Sequence, residues 1–324
     1  KYMYPEQVED TTDMQKDIII GEGIERSPNI YHKNLGAVLT NTKKYCSQFE
    51  INRLIEKGYI AAPDIEIMRT VYEHGFLTRK NITDIISYDS GILPENKRKY
   101  YKNSLKKLTQ MGILHRYSPT WDEDGVPHHG PCIYGLSAGG SNYITRLYRK
   151  NTDFFKETGK LIAKDPVKML ISSVCGQFHS SMLRFHSGYI KKSYINYTFS
   201  YRKETFCIPL AYKLQGERSS VDMVVLGVRN NNGYEKYAVH MLQVMRNVTY
   251  KESFVIRNPI YVYVCENSTH AKKLAAKFRE SGLVGIPIIY CLDRTFLNGD
   301  VLNNMFTIEN TDNGYEIVLQ KLNI

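Results

Sequence analysis

"PDIEIMRTVYEHGFLTRKNITDII", residues 63–86, carries the clearest helix signals in the first half of the chain. Pro63 and Asp64 are typical of a helix start, and apolar residues then recur at helical spacing as far as Gly75, which ends the helix. Thr78 is a good N-cap for a second short helix. The apolar residues on one face of that helix are Ile82, Ile85 and Ile86. The stretch therefore predicts two helices joined by a tight turn.

The residues that follow predict a third helix and two strands. Pro94 opens a helix that ends at Gly112, and "ILHRYSP" (113–119) and "CIYGLS" (132–137) are typical of strands on either side of a polar loop. Helix, helix, helix, strand, loop, strand is the order of a winged helix-turn-helix domain. We therefore predict such a domain at residues 61–150, with Ser137 as the N-cap of a helix that follows the last strand. Before it we predict an N-terminal arm and helix at 1–60, with a strand pair at 16–24 and 36–40 and the helix at 42–58.

The third helix is strongly basic, and Glu95 is its only acidic residue. In a winged helix this element enters the major groove, where Lys and Arg contact phosphates or guanine and Asn can pair with adenine. The alternative is that these cations lie on the solvent-exposed face of a helix that does not contact DNA. We predict double-stranded DNA as the partner. The predicted DNA-binding residues are Lys97, Arg98, Lys99, Tyr100, Lys102, Asn103, Lys106, Lys107 and Arg116.

The predicted wing has an acidic tip, Asp122, Glu123 and Asp124. Carboxylates repel phosphates, so these residues favour a wing that is held off the DNA or contacts another partner. His128 and His129 follow, but neighbours in an extended segment point to opposite sides. A metal site is therefore not expected there.

Beyond about residue 150 the pattern changes to a long helix (165–188) and a series of strands. A helix at 269–282 and a strand at 286–292 come next. Helix, consecutive strands, helix, strand is a three-layer α/β order, so we predict an α/β domain at 151–324, with the boundary near 150–165. The predicted strands are 194–201, 205–213, 221–228, 236–245 and 259–265.

Two of these predicted strands are similar to the metal-binding strands of a nuclease active site. "SSVDMVVLG" (219–227) carries Asp222, and "YAVHMLQVMRN" (237–247) carries Gln243 where a PD-(D/E)XK nuclease has its second acid. In such nucleases the acids hold Mg²⁺, which activates water, and a lysine steadies the transition state. Here Gln243 replaces the acid and Met245 the cation. Asp222 and Gln243 are therefore predicted to be vestigial positions, without catalytic residues, metal or cofactor.

Several segments of the chain resemble the replication-relaxation proteins of plasmids and integrative elements. The resemblance rests on the segment 63–86 quoted above, "LKKLTQMGILHRY" (105–117) and "IYGLSAGGSNYI" (133–144), and more thinly on "VDMVVLG" and "LQVMR". It implies a DNA-binding protein of a mobile genetic element with a restriction-endonuclease-like second domain. Val221, Gln243 and Met245 depart from the family's residues, so no catalytic role is carried over.

Composition is compatible with this interpretation. The net charge of +10 and pI of about 9.1 favour a polyanionic partner, and six scattered cysteines are typical of reduced thiols in a cytoplasmic protein. No apolar run approaches the roughly 18–20 residues that span a bilayer, so no membrane partner is predicted. An oligomer is left open.

The sequence favours a non-catalytic DNA-binding protein acting in replication, conjugative transfer or its regulation, with replication or transfer proteins of the same element as further candidate partners. Two alternatives remain. One is a Mg²⁺-dependent endonuclease with a rearranged PD-(D/E)XK site. The other is a protein-interaction adaptor whose winged helix binds no DNA.

Overall fold

The structure is a computed structural model. It describes residues 6–7, 36–41, 43, 45–89, 94–123, 125–148, 166–216, 219–230, 232–251, 254–295, 299–312 and 314–321. These residues form two compact units. The first lies within His32–Ser180, and the second comprises Ser181–Ile324 together with the short strand β1 (Glu6–Gln7). The mixed α+β class is confirmed, with eight α-helices in the described part of the chain.

The first unit contains most of the helices. Its elements are β2 (Gly36–Leu39), α1 (Gln48–Glu56), α2 (Ala62–His74), β3 (Leu77–Thr78), α3 (Arg79–Asp89), α4 (Pro94–Gln110), β4 (Leu114–Glu123), β5 (Val126–His129), β6 (Ile133–Leu136), α5 (Ala138–Tyr148) and the first part of α6 (Pro166–His186). The sheet has the order β2-β4-β6-β3, with β5 paired to β4. Every described pairing in it is antiparallel.

The helix ends follow the predicted capping chemistry. Thr78 Oγ1 accepts a hydrogen bond from the Asn81 amide at 3.2 Å, which caps α3, and Ser137 Oγ accepts one from the Gly140 amide at 3.3 Å, which caps α5. Gly75 ends α2 at a φ of 85°, in the left-handed region that favours glycine. The helix predicted at 42–58 is shorter, because Ser47 caps it at Gln48.

Helices α2, α3 and α4 pack against one another and bury their apolar faces. Full burial of one such aliphatic side chain stabilises the fold by about 1.5–3 kcal/mol, so this three-helix contact sets the position of α4. The residues that it removes from solvent include Ile67, Met68, Val71, Ile82, Ile85, Ile86, Tyr101, Leu105 and Leu108.

The second unit is built on an eight-stranded mixed sheet. Its further elements are β7 (Ile190–Tyr201), β8 (Glu204–Gln215), β9 (Ser220–Gly227), α7 (Asn232–Val248), β10 (Ile260–Cys265), α8 (Ser268–Glu280), β11 (Ile288–Leu292), β12 (Met305–Thr311) and β13 (Gly314–Lys321). The order is β1-β13-β12-β11-β10-β9-β8-β7. Strands β9, β10 and β11 are parallel, with α7 and α8 as the crossovers, and the outer pairs are antiparallel.

One core joins α7 and α8 to the sheet. Met241, Leu242 and Met245 of α7 pack in it with Leu274 and Phe278 of α8 and with aromatic residues of the strands. The parallel crossovers explain this arrangement, because a strand-helix-strand connection lays its helix back on the sheet. The predicted helix at 269–282 and the predicted strands at 259–265 and 286–292 are confirmed.

The strand predicted at 236–245 is wrong, because these residues lie in helix α7. Ala238, Met241, Leu242 and Met245 are buried at i, i+3, i+4 and i+7, which is the helical period rather than the strand alternation. The segment between β9 and α7 is thus the first part of a crossover and not a hairpin turn.

Some expectations fall outside the described residues. They are the first member of the predicted strand pair, at 16–24, and the whole of the predicted domain boundary near 150–165. The second member of that pair is strand β2, which pairs with β4.

Candidate nucleic-acid interface

Helix α4 presents one polar stripe in the first unit. Lys102, Asn103, Lys106 and Gln110 are exposed, and their spacing places them on one side of the helix. The opposite side holds Tyr101, Leu105 and Leu108 in the core. The amphipathic pattern of the sequence therefore fixes which way the cations of α4 face.

The stripe forms one wall of an open groove of about 600 Å³. The other walls come from the end of β2, the start of α3, and strands β4 and β6. Its lining residues are Thr40, Asn41, Arg79, Lys102, Asn103, Lys106, Thr109, Gln110, Arg116 and Tyr134. Four of these are cations and none is a carboxylate, so we call it the basic groove.

Asn41 holds the floor of the basic groove in place. Its amide nitrogen donates to the Thr109 carbonyl at 3.1 Å and to the Leu114 carbonyl at 2.6 Å. Its side-chain oxygen accepts from the Arg116 amide at 2.8 Å. Because one buried side chain joins the end of β2, the end of α4 and strand β4, the groove walls are fixed before any ligand arrives.

Three groups from other elements face the α4 stripe. Arg79 is exposed in the first turn of α3, and Arg116 is exposed on β4 with its guanidinium 3.0 Å from the Cys132 sulphur. Burial raises the pKa of the Tyr134 phenol, and the neighbouring charges of Arg116 and Arg79 oppose that shift. The phenol therefore stays protonated at neutral pH and can donate a hydrogen bond to an anionic oxygen.

Most of the predicted DNA-binding residues whose side chains the structure describes line this groove. Lys102, Asn103, Lys106 and Arg116 do so, whereas Lys107 does not, since its ammonium group lies 2.5 Å from Asp64 Oδ2. The residues Lys97, Arg98, Lys99 and Tyr100 belong to α4, but their side chains are outside the description.

Sequence reasoning missed Arg79, Tyr134, Asn41 and Gln110. Arg79 had a local signal, since it directly follows the N-cap Thr78 and its side chain starts in the exposed first turn of α3. Tyr134 and Asn41 had none, because they join the groove only through the pairing of β6 and β2 with β4.

The vestigial nuclease positions are on different kinds of element in the second unit. Asp222 is on β9 opposite Lys213 of β8, and its Oδ2 accepts a hydrogen bond from the Arg257 amide at 2.7 Å. Gln243 is exposed on α7, where its backbone carbonyl accepts from the Asn247 side chain. The two positions are therefore not strand neighbours, contrary to the sequence prediction.

The donor set around these positions does not fit a Mg²⁺ site. In the described part of the chain, no group of three or more His, Cys, Asp or Glu residues is arranged to hold a metal ion. Gln243 is neutral and Met245 is buried in the core, and the carboxylate of Asp222 is already engaged by a backbone amide. Glu217, another acid near this strand, lies outside the description.

Comparisons of this chain with protein-family models, curated proteins and solved structures gave no match. None of the helices that the structure describes is long and apolar enough to cross a membrane.

Proposed function

We propose that this protein binds double-stranded DNA through the basic groove, in the replication, conjugative transfer or regulation of a plasmid or integrative element. The observation that carries the proposal is the groove itself, in which Arg79, Lys102, Lys106 and Arg116 converge without a lining carboxylate. Four cations on a braced surface suit a polyanion with regularly spaced phosphates.

The element order of the first unit supports a winged helix-turn-helix domain. Strand β3 lies between α2 and α3 and pairs with β6, while α4 leads directly into the β4–β6 pair. In that fold α4 is the helix that enters the major groove. The proposal thus assigns DNA recognition to the exposed stripe of α4.

The lining residues divide between two kinds of contact. Arg and Lys side chains neutralise phosphates, which positions the protein on the duplex, and amides read base edges. Asn103 and Gln110 are exposed amides on the α4 stripe, and such amides can form paired hydrogen bonds with adenine N6 and N7. We assign positioning to the four cations and base contacts to these two amides.

The second unit supports the predicted restriction-endonuclease-like architecture without its reaction. The end of helix α6, the meander β7-β8-β9, helix α7 and the parallel strand β10 follow in the order expected of that scaffold. Because the residues near Asp222 do not supply a metal site, we propose no cleavage step.

Salt-dependent binding tests the proposal. A labelled DNA duplex is titrated with the full chain at several salt concentrations, and the variant Lys102→Gln/Lys106→Gln is compared with the natural protein. Each lost phosphate contact reduces the magnitude of the negative slope of log K against log salt by about 0.9, so the slope of the double variant should be shallower by about 1.8. Arg53→Gln/Lys57→Gln removes two exposed cations at the end of α1 as a matched control.

Equal loss of affinity in both double variants would contradict specific use of the basic groove. No duplex binding by the natural protein would favour the adaptor alternative. The nuclease alternative has a separate test, in which supercoiled plasmid is incubated with the protein and Mg²⁺. Cleavage that Asp222→Ala abolishes would overturn the non-catalytic assignment.

A further inference from the structure

Strand β7 forms one edge of the large sheet in the second unit and carries a row of aromatic rings. We call Tyr194, Tyr197, Phe199 and Tyr201 the β7 aromatic row. The ring centroids of Tyr194 and Tyr197 are 5.9 Å apart, and the rings of Tyr197 and Phe199 are stacked at 6.4 Å. All four rings are partly buried against the core and partly exposed.

A backbone irregularity brings Tyr194 into the row. Residues three apart on a regular strand face opposite sides, but Asn196 has a left-handed φ of 47°. Its neighbours Ile195 and Tyr197 pair with Leu210 and Ile208, which flank Pro209, a residue with no amide hydrogen to pair with. The local change of direction puts Tyr194 on the same side of the sheet as Tyr197.

The middle of the row is braced from one side. Phe254, which follows α7, packs edge-on against Tyr197 and Phe199 at centroid distances of 5.9 and 5.2 Å. Phe206 of β8 stacks on Phe199 at 5.5 Å. Rings held in this way lose little conformational freedom when a ligand stacks on them.

Both ends of the row carry cations. Lys192 Nζ lies 4.9 Å from the ring centre of Tyr194, and the ring of Tyr201 has Arg202 Cζ at 5.3 Å and Lys251 Nζ at 5.9 Å. Lys191 and Lys203 are exposed beside them. Glu204 is the one carboxylate that the structure describes in the β7–β8 hairpin, and it is paired with His240.

The hairpin turn is made in a strained way. Arg202 and Lys203 form the two-residue connection between β7 and β8, and both have positive φ, 46° and 70°. Turns with this geometry favour Asn-Gly, because a Cβ is disfavoured in the left-handed region. Two long cations occupy the tip despite that cost, and strain of this kind clusters at functional sites.

We propose that the β7 aromatic row is a binding platform for single-stranded nucleic acid. Unpaired bases would stack on the rings, and the cations at the two ends of the row would neutralise the phosphates. Sequence-tolerant single-strand binders combine a basic track with aromatic faces in this way. Bases within a duplex already stack on one another, so this site selects single strands, unlike the basic groove of the first unit.

The test uses the full chain and a labelled oligothymidylate of about 20 nucleotides, longer than the roughly 4–16 nucleotides that one such site covers. Binding is followed by fluorescence anisotropy at low salt. The key variant is Arg202→Asn/Lys203→Gly, which removes both tip cations and supplies the residues that the turn favours. The hairpin therefore keeps its fold, and lost binding reports the cations. Lys272→Asn/Arg279→Asn removes two cations of α8 as the matched control.

Ring variants test stacking separately from charge. Tyr194→Leu/Tyr201→Leu keeps apolar volume at both ends of the row, and a stacked ring contributes roughly 5- to 150-fold in affinity. We expect at least about tenfold weaker oligothymidylate binding in both the turn variant and the ring variant, and no change in the control. Circular dichroism and thermal unfolding of each variant check that the sheet is intact.

Two further binding measurements, with other nucleic acids, define the class of ligand. An oligouridylate of the same length distinguishes RNA from DNA as the source of the single strand, and binding of either one supports the site. A duplex of the same length should respond to Lys102→Gln/Lys106→Gln but not to the turn variant. Absence of single-strand binding in the natural protein, or binding that survives both the turn and the ring variants, would overturn the inference.

Discussion

Lys107 of α4 lies with its ammonium nitrogen 2.5 Å from Oδ2 of Asp64 in α2, and the Asp64 side chain is fully buried. The same oxygen accepts a hydrogen bond from the Ala61 amide at 2.8 Å, which closes the start of α2. One buried carboxylate thus connects α2 to α4 through Lys107, a residue that the sequence predicted to bind DNA. Its neighbour Lys106 lines the basic groove instead. Lys107 therefore stabilises the helix packing, whereas Lys106 is available to bind a ligand.

We predict that Lys107→Met destabilises the first unit by about 2–3 kcal/mol, because it leaves a buried carboxylate without its cation. Lys106→Met, at an exposed position, should change the free energy of unfolding by less than about 0.5 kcal/mol. Urea unfolding followed by tryptophan fluorescence measures both, since the single tryptophan, Trp121, belongs to the first unit. Duplex affinity should show the reverse pattern, and equal effects of the two substitutions on stability would contradict the assignment.

This pair also marks how far the sequence could predict the site. The basic stripe of α4 was predictable, because helical spacing sorts Lys102 and Lys106 away from Leu105 and Leu108. The task of Lys107 was not, since its partner Asp64 is 43 positions away in the sequence and meets it only when α2 packs on α4. Long-range contacts of this kind leave no local pattern.

The second unit shows the same limit for the fold. Strands β7 to β11 and helix α8 were predicted correctly from local apolar patterns, but α7 was taken for a strand, and β12 and β13 were not predicted. Val244, which is also buried in the core, and Val239, which packs against it, add apolar residues between the other core positions of α7, so the helical stripe resembles the apolar run of a strand. Counting the spacing of Ala238, Met241, Leu242 and Met245 would have favoured the helix.

Arg229 provides a second stability prediction. It is fully buried after β9, with its guanidinium 3.0 Å from Asp293 and 4.0 Å from Glu266, residues that follow β11 and β10. Burial raises the pKa of the Glu266 carboxyl, and the charge of Arg229 opposes that shift. We expect Arg229→Met to cost about 3–5 kcal/mol near pH 8, because two buried carboxylates lose their cation.

The loss of unfolding free energy in Arg229→Met should become smaller as the pH falls. Without the opposing charge of Arg229, the pKa of the Glu266 carboxyl in the folded state lies further above its value in the unfolded state, so the variant loses stability as the pH rises between the two values. Thermal unfolding between pH 5 and 8 measures the trend, with Arg279→Met as the exposed control. A deficit that does not depend on pH would contradict the electrostatic explanation.

Two buried histidines predict loss of stability in mild acid. Burial lowers the pKa of His74 to about 4 and that of His270 to about 3. Between the unfolded value of about 6.5 and these values, only the unfolded chain binds the proton. The contribution of these two histidines to stability is therefore constant above about pH 6.5 and falls below it. At about 1.36 kcal/mol per pH unit, His74 alone removes about 3 kcal/mol by pH 4.

His74→Phe should flatten this dependence in the first unit, where His74 lies 5.3 Å from His179 between ring centroids. Burial, and to a lesser extent His74, lowers the pKa of His179 as well, so part of the slope should remain. Tryptophan-detected urea unfolding at pH 7, 6 and 5 gives the slope, and His129→Phe at an exposed position is the control. Identical slopes for His74→Phe and the natural protein would refute the prediction.

Gly139 fixes the approach of α5 to the segment before α1. A Cβ at this position would lie 1.7 Å from the Cys46 carbonyl oxygen, a backbone atom that cannot move aside alone. Helix propensity by itself favours alanine over glycine by about 1 kcal/mol, but the clash forces the two backbones apart. We therefore expect Gly139→Ala to destabilise the first unit by about 2–3 kcal/mol.

Asn142→Ala, exposed on the same helix, should be neutral or slightly stabilising in the same urea unfolding experiment, because alanine is the better helix former. If Gly139→Ala were as stable as Asn142→Ala, the close contact between α5 and Cys46 would not exist in solution.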